Sequence, residues 1–329
     1  MQKKLAEELR KELLNWYRVN KRDLPWRKNR DPYSIWISEV MLQQTTVAAV
    51  VPYYEKFMSH FPNVETLARA SESEVLEMWA GLGYYSRARN IHKSAKLIST
   101  QGFPQKAESL LELPGFGPYT SRAVASLSYN EAVGVLDGNV IRILSRVHGF
   151  KLNWWLPKDR KQLQNLSDEL ASTKYNSEIN QGMMELGATV CTPKKPLCLL
   201  CPWKTKCEAR KNNLIELLPL SKPKQKGELW HWQMNVHIKN NKIYLEKNTV
   251  TPFLTNLLFP PSKAKAVNKK PMKYDLKHSV TKYDIYIQIH KIVLKKSLKS
   301  NWFDLNTIKK VNHSSLMTKI LKNHNNQVE

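Results

Sequence analysis

The sequence predicts a mainly α protein of two helical modules followed by a smaller α+β domain. Its 329 residues, 42% of them apolar, are enough for about two domains with sizeable cores. Apolar residues recur at helical spacing through the first 210 residues, and near-alternation typical of strands begins after residue 227. We therefore predict a helical domain over residues 1–213, a linker over 214–227 and an α+β domain over 228–329.

The helices of the first domain can be placed in chain order. The first repeats apolar residues at helical spacing, namely Leu5, Leu9, Leu13, Trp16 and Tyr17. A second buried helix is marked by Ile35, Trp36, Val40 and Val47. Ser71 and Glu74 precede an apolar run at the spacing of a capping box, which predicts the start of another helix.

The second domain is predicted from a change of period. Leu-Pro and Lys-Pro pairs within residues 214–227 indicate a tether between two folding units. Aromatic and β-branched residues then nearly alternate over 232–238, 242–246 and 283–293, which predicts strands. The lysine-rich segment 263–273 is predicted to be a loop.

The charge balance indicates a polyanionic partner. Lys and Arg number 52 against 28 Asp and Glu, a formal net charge of +24. No arginine follows Arg210, so the excess in the C-terminal part is carried by lysine, which suits diffuse phosphate attraction better than bidentate reading of bases. A lysine-rich surface that serves solubility is the alternative for this part.

All four cysteines lie in one short segment, with the spacing Cys191-x6-Cys198-x2-Cys201-x5-Cys207. Cysteines this close together cannot staple two domains, so a metal site in a reduced compartment is favoured over disulfides. Four thiolates can close on one tetrahedral zinc ion or on the four irons of a cubane cluster, and ligand chemistry alone leaves both open.

A glycine turn precedes a predicted helix at Leu113-Pro114-Gly115-Phe116-Gly117-Pro118. Two glycines around one apolar residue allow a tight turn with outward backbone N–H groups, and the helix that starts at Pro118 adds its positive end. The segment therefore predicts a phosphate cradle, although a Gly-x-Gly pair by itself is usually an ordinary turn.

Two carboxyls are candidates for acid–base chemistry. Glu39 lies in an otherwise apolar helix, where burial would raise its pKa and keep a proton available near neutral pH. Asp137 stands where a helix N-cap is expected, a position that would keep it ionised. Structural roles, a polar stripe for Glu39 and a cap for Asp137, are the alternatives.

Several stretches together resemble a known family: residues 24–27, 36–45, 81–90, the glycine turn and 136–140. The cysteine spacing is similar to the cluster loop of the endonuclease III superfamily of DNA glycosylases, and the whole set resembles the MutY-type adenine glycosylases over about residues 5–210. The resemblance implies a helix-hairpin-helix fold and a 4Fe-4S cluster held by the four cysteines. It also implies base excision repair of double-stranded DNA, by removal of adenine mispaired with 8-oxoguanine or guanine.

The same resemblance implies roles for individual residues. Glu39 would protonate adenine N7, and Asp137, supported by Tyr119 and Asn139, would stabilise the oxocarbenium ion. Tyr119 also stands where strand-cutting relatives carry an amine-bearing lysine, so this chain should remove the base and stop. Arg27 would help to hold the extruded adenine, and Gln44 and Tyr84 would form a wedge that fills its place in the duplex. Gly115 and Gly117 would bind the DNA backbone.

The C-terminal domain resembles the family's MutT-like domain only weakly. That domain reads 8-oxoguanine with a Phe-Ser-His turn, and the best local match here is Val280-Thr281-Lys282. Thr281 keeps a hydroxyl donor, whereas the neighbouring ring and imidazole are replaced. The carboxylate set of nucleoside diphosphate hydrolases is missing from the sequence, so we expect no metal-dependent hydrolysis.

Two other functions remain open at this point: a glycosylase of the same fold for another base, such as thymine in T:G pairs, and a non-catalytic, cluster-bearing DNA-binding protein. No apolar run approaches the roughly 18 residues of a membrane span, and the N-terminus carries both charge signs, unlike a signal peptide. We expect a monomer without membrane contact, in the cytoplasm of a bacterial-type cell and associated with the nucleoid.

Overall fold

The computed structural model describes residues 3–43, 45–223, 226–255, 257–292, 301–312 and 314–325. The chain forms two compact units, Met1–Lys222 and Pro223–Glu329. This division falls within the segment 214–227. Leu218 in that segment is buried, and Arg146 Nε donates to its carbonyl oxygen at 2.8 Å. The chain up to this point therefore packs on the first unit and is not a free tether.

The first unit is built from helices, as predicted. In chain order they are α1 (Lys3–Asn20), α2 (Pro32–Met41), α3 (Val47–His60), α4 (Val64–Arg69), α5 (Glu72–Met78), α6 (Tyr85–Gln101), α7 (Ala107–Leu111), α8 (Pro118–Tyr129), α9 (Gly138–His148), α10 (Pro157–Leu170), α11 (Asn176–Thr189) and α12 (Glu208–Lys211). Short 3₁₀ turns occupy Pro25–Arg27 and Cys198–Leu200.

Two hydrophobic cores confirm the two helical modules. One lies among α2 to α8 around Trp36, Phe57 and Trp79. The other lies among α1 and α9 to α11, with Leu9 and Trp203 fully buried in it. Helix α8 contributes side chains to both cores and so lies between the modules. A cavity between two such modules is a usual place for a ligand.

Local capping signals set several helix starts. Asp31 caps α2 by accepting from the backbone N–H groups of Tyr33 and Ser34. The Ser71–Glu74 capping box at α5 is confirmed, since each side chain bonds the other residue's backbone N–H. Asp137 is the N-cap of α9, as its position in the sequence predicted.

The second unit contains nine strands over the residues described: β1 (Glu228–Val236), β2 (Ile238–Lys239), β3 (Lys242–Tyr244), β4 (Glu246–Lys247), β5 (Leu258–Phe259), β6 (Ser262–Val267), β7 (Leu276–Val280), β8 (Tyr283–Lys291) and β9 (Trp302–Asp304). The main sheet has the order β6-β1-β8-β7, with β1 parallel to β8 and the other pairs antiparallel. Helices α13 (Ile308–Val311) and α14 (Ser315–Asn325) complete this α+β unit.

The lysine-rich segment 263–273 was predicted to be a loop, and this is wrong for its first part. Strand β6 runs through Lys263 and Lys265 and pairs with β1 along its length. The lysines alternate with alanines, so they fall on one face of an edge strand, where exposed lysine is common because it discourages further strand pairing. The strand predicted to end at Val293 is described to Lys291, and Val293 lies outside the described residues.

Over the described ranges, none of the helices combines the length and the apolarity that crossing a membrane requires.

Candidate active site

A cavity of about 1500 Å³ in the helical unit brings together most of the residues predicted from the sequence. The Pro25–Arg27 turn, α2, the starts of α8 and α9, and α11 form its walls. The predicted residues that line it are Arg27, Glu39, Gly115, Gly117, Tyr119, Asp137 and Asn139. Both candidate carboxyls therefore face the same space.

Glu39 lies near the end of α2, a helix whose side chains are almost all buried. Only 5% of Glu39 is exposed, and its Oε2 accepts a hydrogen bond from the Tyr119 hydroxyl at 2.6 Å. Burial raises the pKa of Glu39 to about 7, although the bond from Tyr119 favours the ionised form. The carboxyl is thus available as a proton donor near neutral pH.

Tyr119, in the first turn of α8, donates a hydrogen bond to Glu39, whereas the resemblance implied that it supports Asp137. Its hydroxyl lies 2.6 Å from Glu39 Oε2 and 3.1 Å from Met184 Sδ, and the charge of Asp137 acts on it from further away. Burial and the charge of Glu39 raise the pKa of this phenol well above its usual range. Tyr119 is therefore a neutral donor that orients Glu39.

Asp137 has the geometry of a helix N-cap within the cavity wall. Its Oδ1 accepts from the Val140 backbone N–H at 2.8 Å, and its Oδ2 accepts from Asn139 Nδ2 at 2.9 Å. Burial raises the pKa of Asp137, and these two hydrogen bonds oppose the rise. These two hydrogen bonds thus hold the Asp137 carboxylate in one orientation in the cavity wall.

Asn139 links Asp137 to the cysteine segment. Asn139 Oδ1 accepts from Arg142 Nη2 at 2.8 Å, and Arg142 Nε donates to the carbonyl oxygen of Cys191 at 2.7 Å. Gly187 on α11 makes room for this arrangement, because a Cβ there would lie 2.5 Å from the Asn139 Cβ. Three consecutive hydrogen bonds therefore join Asp137 to the first cysteine.

Arg27 is held at the cavity by a carboxylate that the sequence analysis missed. Its Nη2 lies 2.7 Å from Oε2 of Glu185 on α11, and Arg22 also pairs with Glu185, whose side chain is fully buried. Although burial raises the pKa of Glu185, hydrogen bonds from both guanidinium groups outweigh it and lower the pKa. A Glu within the apolar helical segment around Met184 was the available signal.

The structure describes one of the two implied wedge residues, Tyr84. Gln44 lies outside the described residues. Tyr84 is 52% exposed and has a left-handed backbone, with φ of 48°, at the start of α6. Such a conformation is rare for an aromatic residue and points to a fixed loop.

Arg87 joins the two loops that carry the implied wedge. Its Nη1 donates to the carbonyl oxygens of Val40 and Gln43, and its Nη2 donates to that of Leu82. The guanidinium also lies 5.4 Å from the centre of the Tyr84 ring. One half-buried side chain thus fixes the end of α2 against the loop before α6.

The glycine turn has the geometry expected of a backbone cradle. Gly115 adopts a positive φ of 82°, and a Cβ at this position would lie 2.7 Å from Asn90 Cβ, so glycine is required there. Gly117 is the N-cap of α8 and Pro118 is its first residue. The unpaired N–H groups of this helix start therefore lie at the cavity edge.

The four cysteines have free thiols and line one small pocket against α9 and α11. Arg146 Nη1 donates to Cys191 Sγ at 3.4 Å, and burial together with the other three thiols raises the pKa of Cys201 to about 12. Trp203 Nε1 donates to the Leu9 carbonyl and ties the segment to α1. Within the described ranges, no three His, Cys, Asp or Glu side chains have the geometry of a metal-ion site.

Thr281 belongs to the second unit, where it forms the tight turn between β7 and β8 with φ of 50°. Beside it, Lys282 Nζ is paired with Glu228 at 2.5 Å and lies over the Tyr283 ring. The Lys282 side chain therefore already has partners within the second unit.

Comparison with known proteins first sets the class. Residues 37–173 match the HhH-GPD superfamily of base excision DNA repair proteins. Among solved structures, a thermostable thymine-DNA glycosylase is 28% identical, with a TM-score of 0.58 over 64% of this chain and 98% of that one. An endonuclease III–DNA complex shares the fold at 19% identity and a TM-score of 0.54. The predicted helix-hairpin-helix glycosylase fold is confirmed.

Relatives then set the family. An adenine DNA glycosylase of Buchnera aphidicola subsp. Baizongia pistaciae is 33% identical over 94% of each chain. The human adenine DNA glycosylase is 46% identical over 60% of this chain, and the match spans 38% of that protein's length. For the Arabidopsis thaliana relative of the same name the identity is 44% and the match spans 37% of its length. The chain belongs to the adenine DNA glycosylase family, as its resemblance to MutY-type enzymes predicted.

Proposed function

We propose that the chain removes adenine mispaired with 8-oxoguanine or guanine from double-stranded DNA, as a monofunctional glycosylase of base excision repair. The observation that carries this proposal is that two carboxyls line one cavity. The pKa of buried Glu39 is raised to about 7, and Asp137 is held at a helix start. Cleavage of an N-glycosidic bond needs an acid on the base side and a negative charge on the sugar side.

Each of the two carboxyls has its own role in the cleavage step. Glu39 donates its proton to a ring nitrogen of the adenine as the bond from C1′ breaks and its electron pair leaves with the base. The sugar becomes an oxocarbenium ion, which the Asp137 carboxylate stabilises. Water then adds to C1′ and gives up a proton to the Glu39 carboxylate, which restores the acid, so the products are free adenine and an abasic site. Tyr119 offers no amine for a Schiff base, so the strand stays intact.

The DNA must be held and opened for this chemistry, because an adenine inside a duplex is out of reach. We propose that the turn of Gly115 and Gly117 binds a DNA phosphate. Tyr84 and Gln44 are proposed to fill the space that the extruded base leaves. Arg27, fixed by Glu185, is assigned to the extruded adenine. Arg27 has donors to spare, since a guanidinium carries five N–H groups.

We propose that the four cysteines hold a 4Fe-4S cluster, which takes one thiolate for each iron, and not a single metal ion, for which no set of described side chains has the geometry. Four free thiols border one pocket, and Arg146 directs an N–H to a sulfur, as expected around an anionic group. The chemistry that such a cluster supplies is a rigid anionic centre with redox capacity. We assign Cys191, Cys198, Cys201 and Cys207 as its ligands, with Arg142 and Arg146 placed to compensate the charge.

Selectivity for 8-oxoguanine is proposed to depend on the hydroxyl of Thr281. Its neighbours differ from the implied turn, and Lys282 is paired with Glu228. We therefore expect a modest preference for 8-oxoguanine over guanine opposite adenine. We further propose that the enzyme acts as a monomer in the cytoplasm of a bacterial-type cell, in association with the nucleoid.

A duplex panel tests the function. Excess enzyme is incubated with duplexes that contain one adenine opposite 8-oxoguanine, guanine or thymine, and each sample is split before alkali treatment. We expect strand cleavage after alkali for the first two duplexes and intact DNA without alkali. A T:G duplex is included because the thymine-DNA glycosylase structure is 28% identical. Release from T:G alone, or from none of the duplexes, would refute the proposal.

Two conservative substitutions separate catalysis from binding. Glu39→Gln keeps the shape of the acid and removes its proton donor. Asp137→Asn keeps an equally good helix cap and removes the negative charge, so neither should prevent folding. Each should lower the single-turnover rate by about 10²–10⁴-fold while duplex binding is retained. Unchanged turnover in both variants would show that another group carries the reaction.

The iron and zinc content of the purified protein tests the cluster.

A further inference from the structure

The main sheet of the second unit has two unlike faces. One face packs Trp232, Met234 and Ile287 into the core against α14. The opposite face alternates with it residue by residue, because successive side chains on a strand point to opposite sides. Sequence alternation on all four strands therefore gives one apolar face and one mainly polar face.

The polar face is rich in lysine at both edges. Lys263 and Lys265 on β6 are exposed, and Lys265 pairs across the sheet with His231 of β1. On the far edge, exposed Lys277 of β7 pairs with Tyr286 of β8. We call the outward side chains of these positions the lysine face: Lys263, Lys265, His231, Tyr286 and Lys277.

Aromatic rings lie between these lysines but are covered. Tyr286 is 6% exposed, and its ring contacts the Tyr274 ring edge-on at 5.0 Å. Lys277 lies over Tyr286 at 5.6 Å, and Lys270 lies over Tyr274 at 4.9 Å. Base stacking needs an open ring face, so this surface is not a platform for unpaired bases.

The spacing of the cations suits a phosphate backbone. Lys263 and Lys265 lie two residues apart on one strand, about 7 Å, and the three strand spacings from β6 to β7 add up to about 14 Å. The second distance is close to the width of about 12 Å of the major groove, whose two sides are lined by phosphates. Lysine contributes point charges without base reading, which matches a backbone contact.

Charge in the rest of the unit supports the same ligand. From residue 223 onward the sequence has 20 lysines, no arginine and six acidic residues. Asp284 on this face is paired with Lys277 at 3.4 Å and accepts from Ser279 Oγ, so it opposes one cation only. Among the residues that the structure describes, no acidic side chain forms an ion pair with Lys263 or Lys265.

We infer that the lysine face binds the phosphate backbone of double-stranded DNA, independently of sequence and of damage. This goes beyond the excision chemistry, and it rests on the proposed function only in taking duplex DNA as the ligand. The face would add affinity for any duplex and would leave recognition of the opposite base to other residues.

The test compares two variants of equal net charge in the full-length protein. The face variant carries Lys263→Gln, Lys265→Gln and Lys277→Gln. The matched control carries Lys239→Gln, Lys242→Gln and Lys247→Gln, three exposed lysines on strands outside the main sheet. Binding to an undamaged, fully paired duplex is measured from 50 to 300 mM salt, and far-UV circular dichroism confirms that both variants are folded.

Each lost phosphate contact lowers the slope of log affinity against log salt by about 0.9, so the face variant should lose about 2 to 3 from its slope. The control should keep a slope close to that of the wild type. A wild-type slope in the face variant, or an equal loss in the control, would overturn the inference. Adenine release by the wild type is measured separately, so a failure of the proposed function is distinguishable.

Discussion

Replacing Glu39 with Gln should make the protein more stable at high pH while it removes the proposed acid. The fold raises the pKa of Glu39 from 4.5 to about 7, mainly by burial. The folded state therefore prefers the neutral carboxyl, and its stability falls as the pH rises from about 4.5 through 7. Since one pKa unit is about 1.4 kcal/mol, ionisation of Glu39 costs the wild type about 3 kcal/mol above pH 8.

Glutamine remains neutral at every pH, so the variant avoids this cost. Relative to the wild type, the free energy of unfolding of Glu39→Gln should gain about 2 to 3 kcal/mol between pH 5 and pH 8. Urea unfolding followed by the helical circular dichroism signal gives this difference directly. A constant offset from imperfect hydrogen bonding of the amide would not affect the pH dependence.

Glu185→Gln is the matched control, because Glu185 is also buried on a helix but has a lowered pKa. Its ionised form stabilises the fold, and this contribution is present above pH 4.5 and lost in acid. Between pH 5 and pH 8 the difference in stability between this control and the wild type should therefore stay constant, and it should shrink only below pH 4.5. If Glu39→Gln shows no gain from pH 5 to pH 8, or if Glu185→Gln shows the same gain, then Glu39 is not a desolvated acid.

Three further predictions concern the residues around the site. Tyr119→Phe removes a hydrogen bond that favours ionised Glu39, so the descending limb of the pH–rate profile for adenine release should move up by about one to two pH units; an unmoved limb would contradict the contact. Arg87→Met unties the two wedge loops, so single-turnover excision should slow more for a paired duplex than for an adenine in a bulge, as rapid-quench assays would measure. Arg142→Lys keeps the charge but cannot hold Asn139 and the cysteine segment together, so the rate should fall while affinity for duplex DNA, measured by fluorescence anisotropy, stays near wild type.

Local signals in the sequence predicted the parts of the structure that depend on neighbouring residues. The capping box of Ser71 and Glu74 and the cap formed by Asp137 each need only three or four consecutive residues, and both are present. The burial of Glu39 followed from the apolar residues around it on one helix. Strand β6 was missed because its lysines indicate a loop by composition, although they alternate with small residues as in a strand.

Contacts between distant segments were beyond the sequence. Glu185 pairs with Arg22 and Arg27, which lie more than 150 residues away along the chain, so no local pattern could indicate this cluster. The partner of Tyr119 depends on how α8 packs against α2, and a spacing rule fixes neither the distance nor the angle. Tyr119 lines the cavity, and its hydroxyl donates to Glu39, whereas the resemblance implied that Tyr119 supports Asp137.

Two buried glutamates in one cavity wall show why residue type alone does not assign an acid. Glu185 has no exposed side-chain surface, but two guanidinium groups donate to it, and it is therefore a fixed anion that holds Arg27. Glu39 is buried to a similar degree and has a neutral phenol as its hydrogen-bond donor, so desolvation prevails and its proton is retained to near neutrality. Exchanging their partners would exchange their roles: an arginine beside Glu39 would lower its pKa and abolish acid catalysis at neutral pH without touching the carboxyl itself.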